Sequence, residues 1–139
     1  MGLSRIDLVN QLVKYGGMSK TEVPVVEERL RDAERSQNAI LQAARDEFAE
    51  HGLGGARVDR IAERAGLNKR LIYYYFADKD TLFQAVLEQT YRHIREKERE
   101  LNLLDHKPAM ALRRLVEFTW TYYLENPEFL TLLNSANLH

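Results

Sequence analysis

The feature that most restricts the fold of this chain is a pair of short helical patterns joined by Gly66-Leu67-Asn68. The first pattern has apolar residues at the i, i+3, i+4, i+7 spacing of an amphipathic helix, namely Val58, Ile61, Ala62 and Ala65. Gly66 is a natural end for that helix, because glycine enters the left-handed conformation without steric cost. Asn68 suits the N-cap of the next helix, since its side-chain oxygen can accept a hydrogen bond from a free amide of the first turn. We therefore expect two helices that meet at a tight corner.

The rest of the chain follows helical periodicity, and no β-type alternation is sustained anywhere. The fold class is therefore predicted to be all-α. One helix is expected from Ser36 to Gly52, and a long one from Asp78 to about Leu104. The buried side of the long helix is predicted to carry Leu82, Phe83, Val86, Leu87, Ile94, Leu101 and Leu104. Two further helices are expected after Pro108 and Asn126-Pro127, because proline suits the first helical turn.

Residues 1–33 have the weakest pattern. The segment LSRIDLVNQLVKY is compatible with a short amphipathic helix, which Gly16-Gly17 would end. We treat residues 1–33 as an N-terminal extension that is flexible or depends on a partner.

Charge is distributed unevenly along the chain. The net charge is only −1, which does not by itself indicate a nucleic-acid partner. Residues 57–79, however, contain six cations and three anions, a net charge of +3. Positive charge is therefore concentrated around the corner between the two short helices.

Composition excludes several classes of protein. The absence of cysteine rules out disulfides and thiolate metal sites, and it fits a reducing, cytoplasmic setting. No apolar run approaches the roughly 18 residues of a membrane span. The histidines do not cluster, and a phosphate loop, a nucleophile elbow and an HExxH motif are all absent. His93 and Glu96 have the spacing of a metal pair on a helix, but a solvated charged face explains them better. We expect no enzyme activity, metal or cofactor.

The second helix of the corner, within NKRLIYYYF, has two distinct faces. At about 100° per residue, Ile72 and Phe76 share the core side, with Tyr75 beside them. The opposite side carries Lys69, Arg70 and Tyr73. A helix-turn-helix places such a second helix in the major groove of DNA, where Arg or Lys in its first turn can reach guanine. The plainer alternative is a solvated cationic surface with tyrosines packed in the core.

Two more cations lie at expected helix starts. Arg57 precedes the first helix of the corner, and Lys79 begins the long helix after it. Free amides and the positive end of the helix dipole favour phosphate at such positions. Both residues are therefore candidate phosphate contacts.

Residues 57–87, RVDRIAERAGLNKRLIYYYFADKDTLFQAVL, closely resemble the DNA-binding domain of the TetR family of bacterial transcriptional regulators. The family pattern is a capping Thr or Ser, then IAxxAGVS, then LYx(Y/H)F, then xSKxxL. It appears here as Ile61-Ala62, Ala65 to Asn68, Ile72 to Phe76 and Lys79 to Leu82. The segment AARDEFAEHG matches the preceding helix of the family. The resemblance covers residues 36 to about 87, and several matches in register make it specific.

The resemblance implies roles for the residues at the matching positions. Tyr73 and Lys79 fall where the family contacts phosphate. Arg70, Leu71 and Tyr75 fall where relatives can touch bases or sugars. The full set of predicted DNA-binding residues is Arg57, Asn68, Lys69, Arg70, Leu71, Tyr73, Tyr75 and Lys79.

Two departures from the family pattern affect how DNA would be read. Arg57 replaces the capping Thr or Ser, so it cannot cap the helix but can still meet a phosphate. Arg70 and Leu71 replace the usual small residue and Thr. The operator sequence therefore cannot be taken from relatives.

The resemblance also implies the domain organisation. Residues 34–81 would form a three-helix DNA-binding domain, with the helix-turn-helix at about 57–76. Residues 82–139 would form part of a helical ligand-binding and dimerisation domain. Because family members are usually longer, we expect the chain to be either a fragment or an unusually short member. The candidate effector-binding residues are Phe118, Trp120, Tyr122 and Tyr123, although aromatic residues at helical spacing are more often part of a core.

These expectations together define a ligand-responsive repressor. A homodimer would place two recognition helices about 34 Å apart on a pseudo-palindromic operator in double-stranded DNA. A small-molecule effector bound to the C-terminal helices would change that spacing. The alternative is a helical protein-interaction module that does not bind DNA.

Overall fold

The computed structural model of the protein describes residues 4–19 and 21–138, and within them the regular structure is entirely helical. The described residues form seven α-helices, namely α1 (Arg5–Tyr15), α2 (Val23–Gly55), α3 (Val58–Ala65), α4 (Lys69–Phe76), α5 (Lys79–Glu100), α6 (Pro108–Glu125) and α7 (Pro127–Asn137). A short 3₁₀ turn, Leu103–Asp105, lies between α5 and α6. The all-α prediction is confirmed. In the described part of the chain, no helix has the length and apolar character of a membrane span.

The chain divides into two compact units, residues 1–39 and residues 40–139. In the first unit, α1 begins with a capping box in which the Asp7 amide donates to Ser4 Oγ at 3.2 Å and the Ser4 amide donates to the Asp7 carboxylate at 3.3 Å. Gly16 ends the helix, as expected. The predicted role of residues 1–33 as an extension stays a prediction.

The start of α2 was not predicted correctly. The helix begins at Val23, well before Ser36, and Pro24 occupies its first turn, where proline costs no hydrogen bond. The segment that follows is mostly charged, and its pairing of Glu27 with Arg31 at 3.9 Å has the i, i+4 spacing of a solvated helix. Val23, Val26, Leu30 and Ala33 nevertheless recur at helical spacing and are half-buried, so the prediction of an extension missed a narrow apolar stripe in this charged segment.

The second unit is built around one apolar core. Buried side chains from α2 to α5 and from α7 form it, namely Ile40, Ala43, Ala44, Phe48, Leu53, Ala56, Ile61, Ala62, Ile72, Leu82, Phe83, Val86, Leu87 and Leu132. At its centre the rings of Phe48 and Phe83 meet edge to face, with centroids 5.0 Å apart. This contact joins α2 to α5 and so fixes the two helices that flank the corner.

Gly52 interrupts α2 near its end. Its backbone lies at φ 68°, ψ 176°, a conformation that only glycine adopts readily. The following amide, of Leu53, donates to Ser135 Oγ of α7 at 2.8 Å. The break therefore releases a buried amide that α7 then satisfies, and it joins the end of α2 to the C-terminal helix.

The prediction for the end of α5 was wrong. The helix stops at Glu100, Asn102 adopts the left-handed region at φ 49°, and Leu104 is fully exposed rather than buried. Asparagine tolerates this conformation better than most residues. The apolar pattern continued past the true end because Leu103 and Leu104 belong to the 3₁₀ turn and no longer follow the helical period.

Candidate nucleic-acid interface

The corner between α3 and α4 forms as the sequence predicts. Gly66 ends α3 in the left-handed conformation, at φ 65°, ψ 28°. The amide of Leu67 donates to the Ala62 carbonyl at 3.1 Å, which satisfies one of the last carbonyls of the helix. Asn68 caps α4 by accepting a hydrogen bond from the Arg70 amide at 2.9 Å. The two helices are thereby held as separate rods.

The two faces of α4 are also sorted as predicted. Ile72 is only 2% exposed, and Tyr75 and Phe76 pack half-buried against the core. The side chains of Lys69, Arg70 and Tyr73 are exposed. Leu71 is half-buried at the edge, and Tyr74 is 77% exposed, its ring in edge contact with Tyr75. The first turn of α4 is therefore open to a partner.

Lys69 and Arg57 share an anion that sequence reasoning missed. The Lys69 ammonium lies 2.6 Å from Asp59 Oδ1, and Arg57 Nη2 lies 3.7 Å from Asp59 Oδ2. The hydrogen bond and charge of Lys69 lower the pKa of Asp59, and Asp59 raises the pKa of Lys69 in return. Lys69 also lies 5.9 Å from the centre of the Tyr73 ring. No local spacing signals this pairing, because it crosses from α3 to α4.

Lys79 sits between α5 and the loop that precedes α3. Its ammonium donates to the Ala56 carbonyl at 3.2 Å and its side chain is half-buried. Asp78 caps α5 by accepting from the Thr81 amide at 2.7 Å, which lowers the pKa of Asp78. An ammonium has three N–H donors, so Lys79 keeps donors for a second partner.

A buried carboxylate holds α3 against α2. Glu47 of α2 is fully buried and accepts hydrogen bonds from the Arg57 amide at 3.1 Å and from Arg60 Nε at 2.6 Å. Arg64 Nε lies 3.4 Å from its second oxygen, and the Arg64 guanidinium also donates twice to Glu50, at 3.0 and 2.5 Å. Sequence reasoning assigned no role to this network, although Arg60 and Arg64 share one helical face.

The network changes which cations can meet a partner. Arg60 and Arg64 are paired with Glu47 and Glu50. The other four cations of residues 57–79 all belong to the predicted DNA-binding set: Arg57 and Lys69, which share Asp59, and Arg70 and Lys79, which have no carboxylate partner among the described residues.

The C-terminal helices carry a groove of about 340 Å³ between α5, α6 and α7. We call it the aromatic groove; its walls include Tyr91, Ile94, Phe118, Tyr122, Tyr123 and Phe129, with Arg95 and Glu98 among its polar residues. Tyr123 stacks on Phe129 at 5.6 Å, and burial raises the pKa of Tyr122. The groove brings together three of the four predicted effector residues. Trp120 does not line it, and its side chain is 68% exposed.

The open first turn of α4, the tight corner and the helical continuation define a helix-turn-helix protein. The family model described as "Bacterial regulatory proteins, tetR family" matches residues 40–86, and "Tetracyclin repressor-like, C-terminal domain" matches residues 108–139. The chain belongs to the TetR family of bacterial regulators.

Individual relatives agree with this assignment. The helix-turn-helix-type transcriptional repressor NicS of Pseudomonas putida is 43% identical over 111 residues, which are 80% of this chain and 52% of NicS. The repressor SCO4008 of Streptomyces coelicolor is 52% identical over 59 residues, 42% of this chain and 31% of SCO4008. A TetR-like regulator from Rhodococcus sp. RHA1 has a TM-score of 0.65 at 26% identity, covering 70% of this chain and 54% of that structure. The matches thus span about half of these relatives or less.

Proposed function

We propose that the protein is a cytoplasmic transcriptional repressor that binds duplex DNA through α4. The observation that carries this proposal is the orientation of α4, with Ile72 buried and Lys69, Arg70 and Tyr73 facing outward. The first turn of a recognition helix is the part that reaches base edges in the major groove.

The exposed residues divide into two roles. We assign Lys69, Tyr73, Lys79 and Arg57 to phosphates, because they surround the first turn of α4 and the start of α5. These contacts supply affinity and position the protein, but they carry no sequence information.

The residues that would contact the DNA bases lie at the start of α4 and on the side of α4 that would face the major groove. Arg70 has an exposed guanidinium that can donate two hydrogen bonds to guanine O6 and N7. The Asn68 oxygen is occupied by the Arg70 amide, so its NH₂ group would be the part that donates to DNA. Leu71 and Tyr75, both half-buried, would offer apolar edges to sugars or to a thymine methyl.

The repressor would act as a homodimer on a pseudo-palindromic operator. Two copies related by a twofold axis place their recognition helices about one turn of DNA apart, roughly 34 Å. NicS and SCO4008 are each named as repressors, which supports repression as the mode of regulation.

A small-molecule effector would bind in the aromatic groove. Phe118, Tyr122 and Tyr123 would contact an apolar or aromatic part of the ligand, and exposed Trp120 would not take part. Helix α5 begins at Lys79 beside the predicted DNA surface and lines the groove near its other end. A ligand that prefers the conformation unable to bind DNA would therefore lower DNA affinity.

Selection from a random pool of duplex DNA tests the proposal. We expect enrichment of an inverted repeat, with affinity that falls linearly as the logarithm of salt concentration rises. If nothing is enriched and no salt-dependent binding to random DNA is found, the helical protein-interaction module becomes the better assignment.

A further inference from the structure

A second cavity, of about 240 Å³, lies where α2, α5, α6 and α7 meet. We call it the polar cavity; its polar lining includes Gln42, Arg45, Gln89, His93, Asn126 and Glu128. It shares Tyr122 and Phe129 with the aromatic groove but also uses α2, which the groove does not. It is therefore a neighbouring cavity with a wall in common with the groove and a different polar lining.

Arg45 brings a positive charge with one unpaired N–H donor to the polar cavity. Its Nε is buried and has no hydrogen-bond partner. Within the described residues, no carboxylate forms an ion pair with its guanidinium either. A buried guanidinium N–H without a partner is unfavourable, because it loses water and gains nothing in exchange.

Glu128 brings a negative charge to the same cavity. It lies in the first turn of α7, and in the described part of the chain it has neither a hydrogen bond nor an ion pair through its side chain. Glu128 and Arg45 both act on Tyr122. Burial is the main cause of the raised pKa of Tyr122, Glu128 raises it further, and Arg45 opposes the change. The two charges thus act on the Tyr122 hydroxyl in opposite directions.

We propose that the polar cavity binds a small zwitterion with a carboxylate and an ammonium group, the chemistry of a free amino acid. The Arg45 guanidinium would donate to the carboxylate, and Glu128 would accept from the ammonium. Phe129 and Leu132 would contact the apolar part of the ligand. A simple anion would be repelled by Glu128 and a simple cation by Arg45, so neither satisfies both charges.

Calorimetric titration of the protein without DNA tests this site with three probes of similar shape. L-leucine carries both charges, isocaproate lacks the ammonium and isoamylamine lacks the carboxylate. We expect L-leucine to bind at least about tenfold more tightly than either, because one charge-assisted hydrogen bond contributes roughly that factor. Arg45→Gln should lower the affinity for L-leucine to that for isoamylamine, and Glu128→Gln should lower it to that for isocaproate.

The exposed pair Arg113 and Glu117 supplies matched controls, since Arg113→Gln and Glu117→Gln make the same charge changes outside the cavity. Both controls should bind L-leucine as the original protein does. Absence of L-leucine binding, or equal affinity for the three probes, overturns the proposal. The proposal is also overturned if either Arg45→Gln or Glu128→Gln is folded and binds L-leucine as the original protein does. If Arg45→Gln does not fold, the result for Glu128→Gln decides. Because no DNA is present, the result is independent of the repressor assignment.

Discussion

Lys69 Nζ lies 2.6 Å from Asp59 Oδ1, so the cation that begins the recognition helix is held by an anion from the helix before it. Both side chains are exposed, with about half of each accessible to solvent. To bind a phosphate, Lys69 must leave Asp59 or share its protons with both partners. In the proposed complex, Asp59 would therefore compete with DNA for Lys69 and would itself repel phosphate.

Replacing Asp59 with Asn should strengthen binding to random duplex DNA several-fold and make its salt dependence steeper, because Lys69 is released from its anion and a negative charge beside the phosphates is removed. Affinity for the operator should rise less than affinity for random DNA, so the ratio of specific to non-specific affinity should fall. Fluorescence anisotropy over a salt series measures both quantities. Glu117→Gln makes the same charge change at an exposed pair on α6 and should leave the slope unchanged. Weaker binding by Asp59→Asn would mean that Asp59 orients Lys69 rather than restrains it.

Removing the charge of Lys79 should weaken binding to all DNA sequences alike. Lys79→Gln is the sharper variant, because it removes the charge but keeps an N–H donor on a slightly shorter side chain near the Ala56 carbonyl, which Lys79 contacts at 3.2 Å. We expect the salt slope to become shallower by about one, as for the loss of one phosphate contact. Lys97→Gln, on the same helix and paired with Glu100 at 3.3 Å, is the control and should behave as the original protein. An unchanged slope in Lys79→Gln would remove Lys79 from the phosphate contacts.

Arg70→Ala should act on sequence preference rather than on general affinity. The guanidinium of Arg70 is exposed, so its truncation leaves the core intact. Loss of a bidentate contact with guanine should cost about 1–3 kcal/mol on the operator and relax the preference at one base position. Competition binding with operators altered one base pair at a time measures this. An equal loss on operator and random DNA would instead assign Arg70 to the backbone.

The outlines of α3 and α4 could be predicted because their ends are set locally. Gly66 and Asn68 each satisfy a helix terminus with their own backbone or side chain, so residue type alone indicates the boundary. The start of α2 and the roles of Asp59 and Glu47 could not be predicted this way. Asp59 and Glu47 meet partners on other helices, and the apolar stripe at the start of α2 is narrow and set in a mostly charged segment.

The Asp78 cap of α5 should make the thermal stability of the fold decrease at acid pH. The Thr81 amide donates to Asp78 at 2.7 Å and lowers the pKa of Asp78 in the folded state. The ionised Asp78 carboxylate therefore stabilises the folded state fully above the pKa of an unfolded aspartate, about 3.9. This stabilisation is lost as the pH falls through the lower pKa that Asp78 has in the folded state. Asp78→Asn keeps a capping oxygen without the charge. Thermal unfolding from neutral to acid pH should show a smaller fall in the midpoint for Asp78→Asn than for the original protein. Parallel curves would show that the charge of Asp78 adds nothing to the cap.

The buried carboxylate of Glu47 should be the most sensitive polar group of the DNA-binding helices. Glu47→Ala leaves the Arg57 amide and Arg60 without an acceptor that they contact at 3.1 and 2.6 Å. Breaking a buried pair costs about 3–5 kcal/mol, but the exposed fraction of Arg60 lets water replace part of the contact, so we expect about 2–3 kcal/mol in the free energy of unfolding.

Glu50→Ala is the matched control for Glu47→Ala, because Glu50 also pairs with Arg64 but is largely exposed. Its loss should cost much less, since water can solvate the released guanidinium. Urea unfolding of the two variants compares the free energies directly. Because Glu47 also holds the amide of Arg57, at the start of α3, folded Glu47→Ala should bind DNA less tightly than Glu50→Ala under conditions where both are native. Equal stability of the two variants would show that burial gives the Glu47 pair no advantage over a surface ion pair.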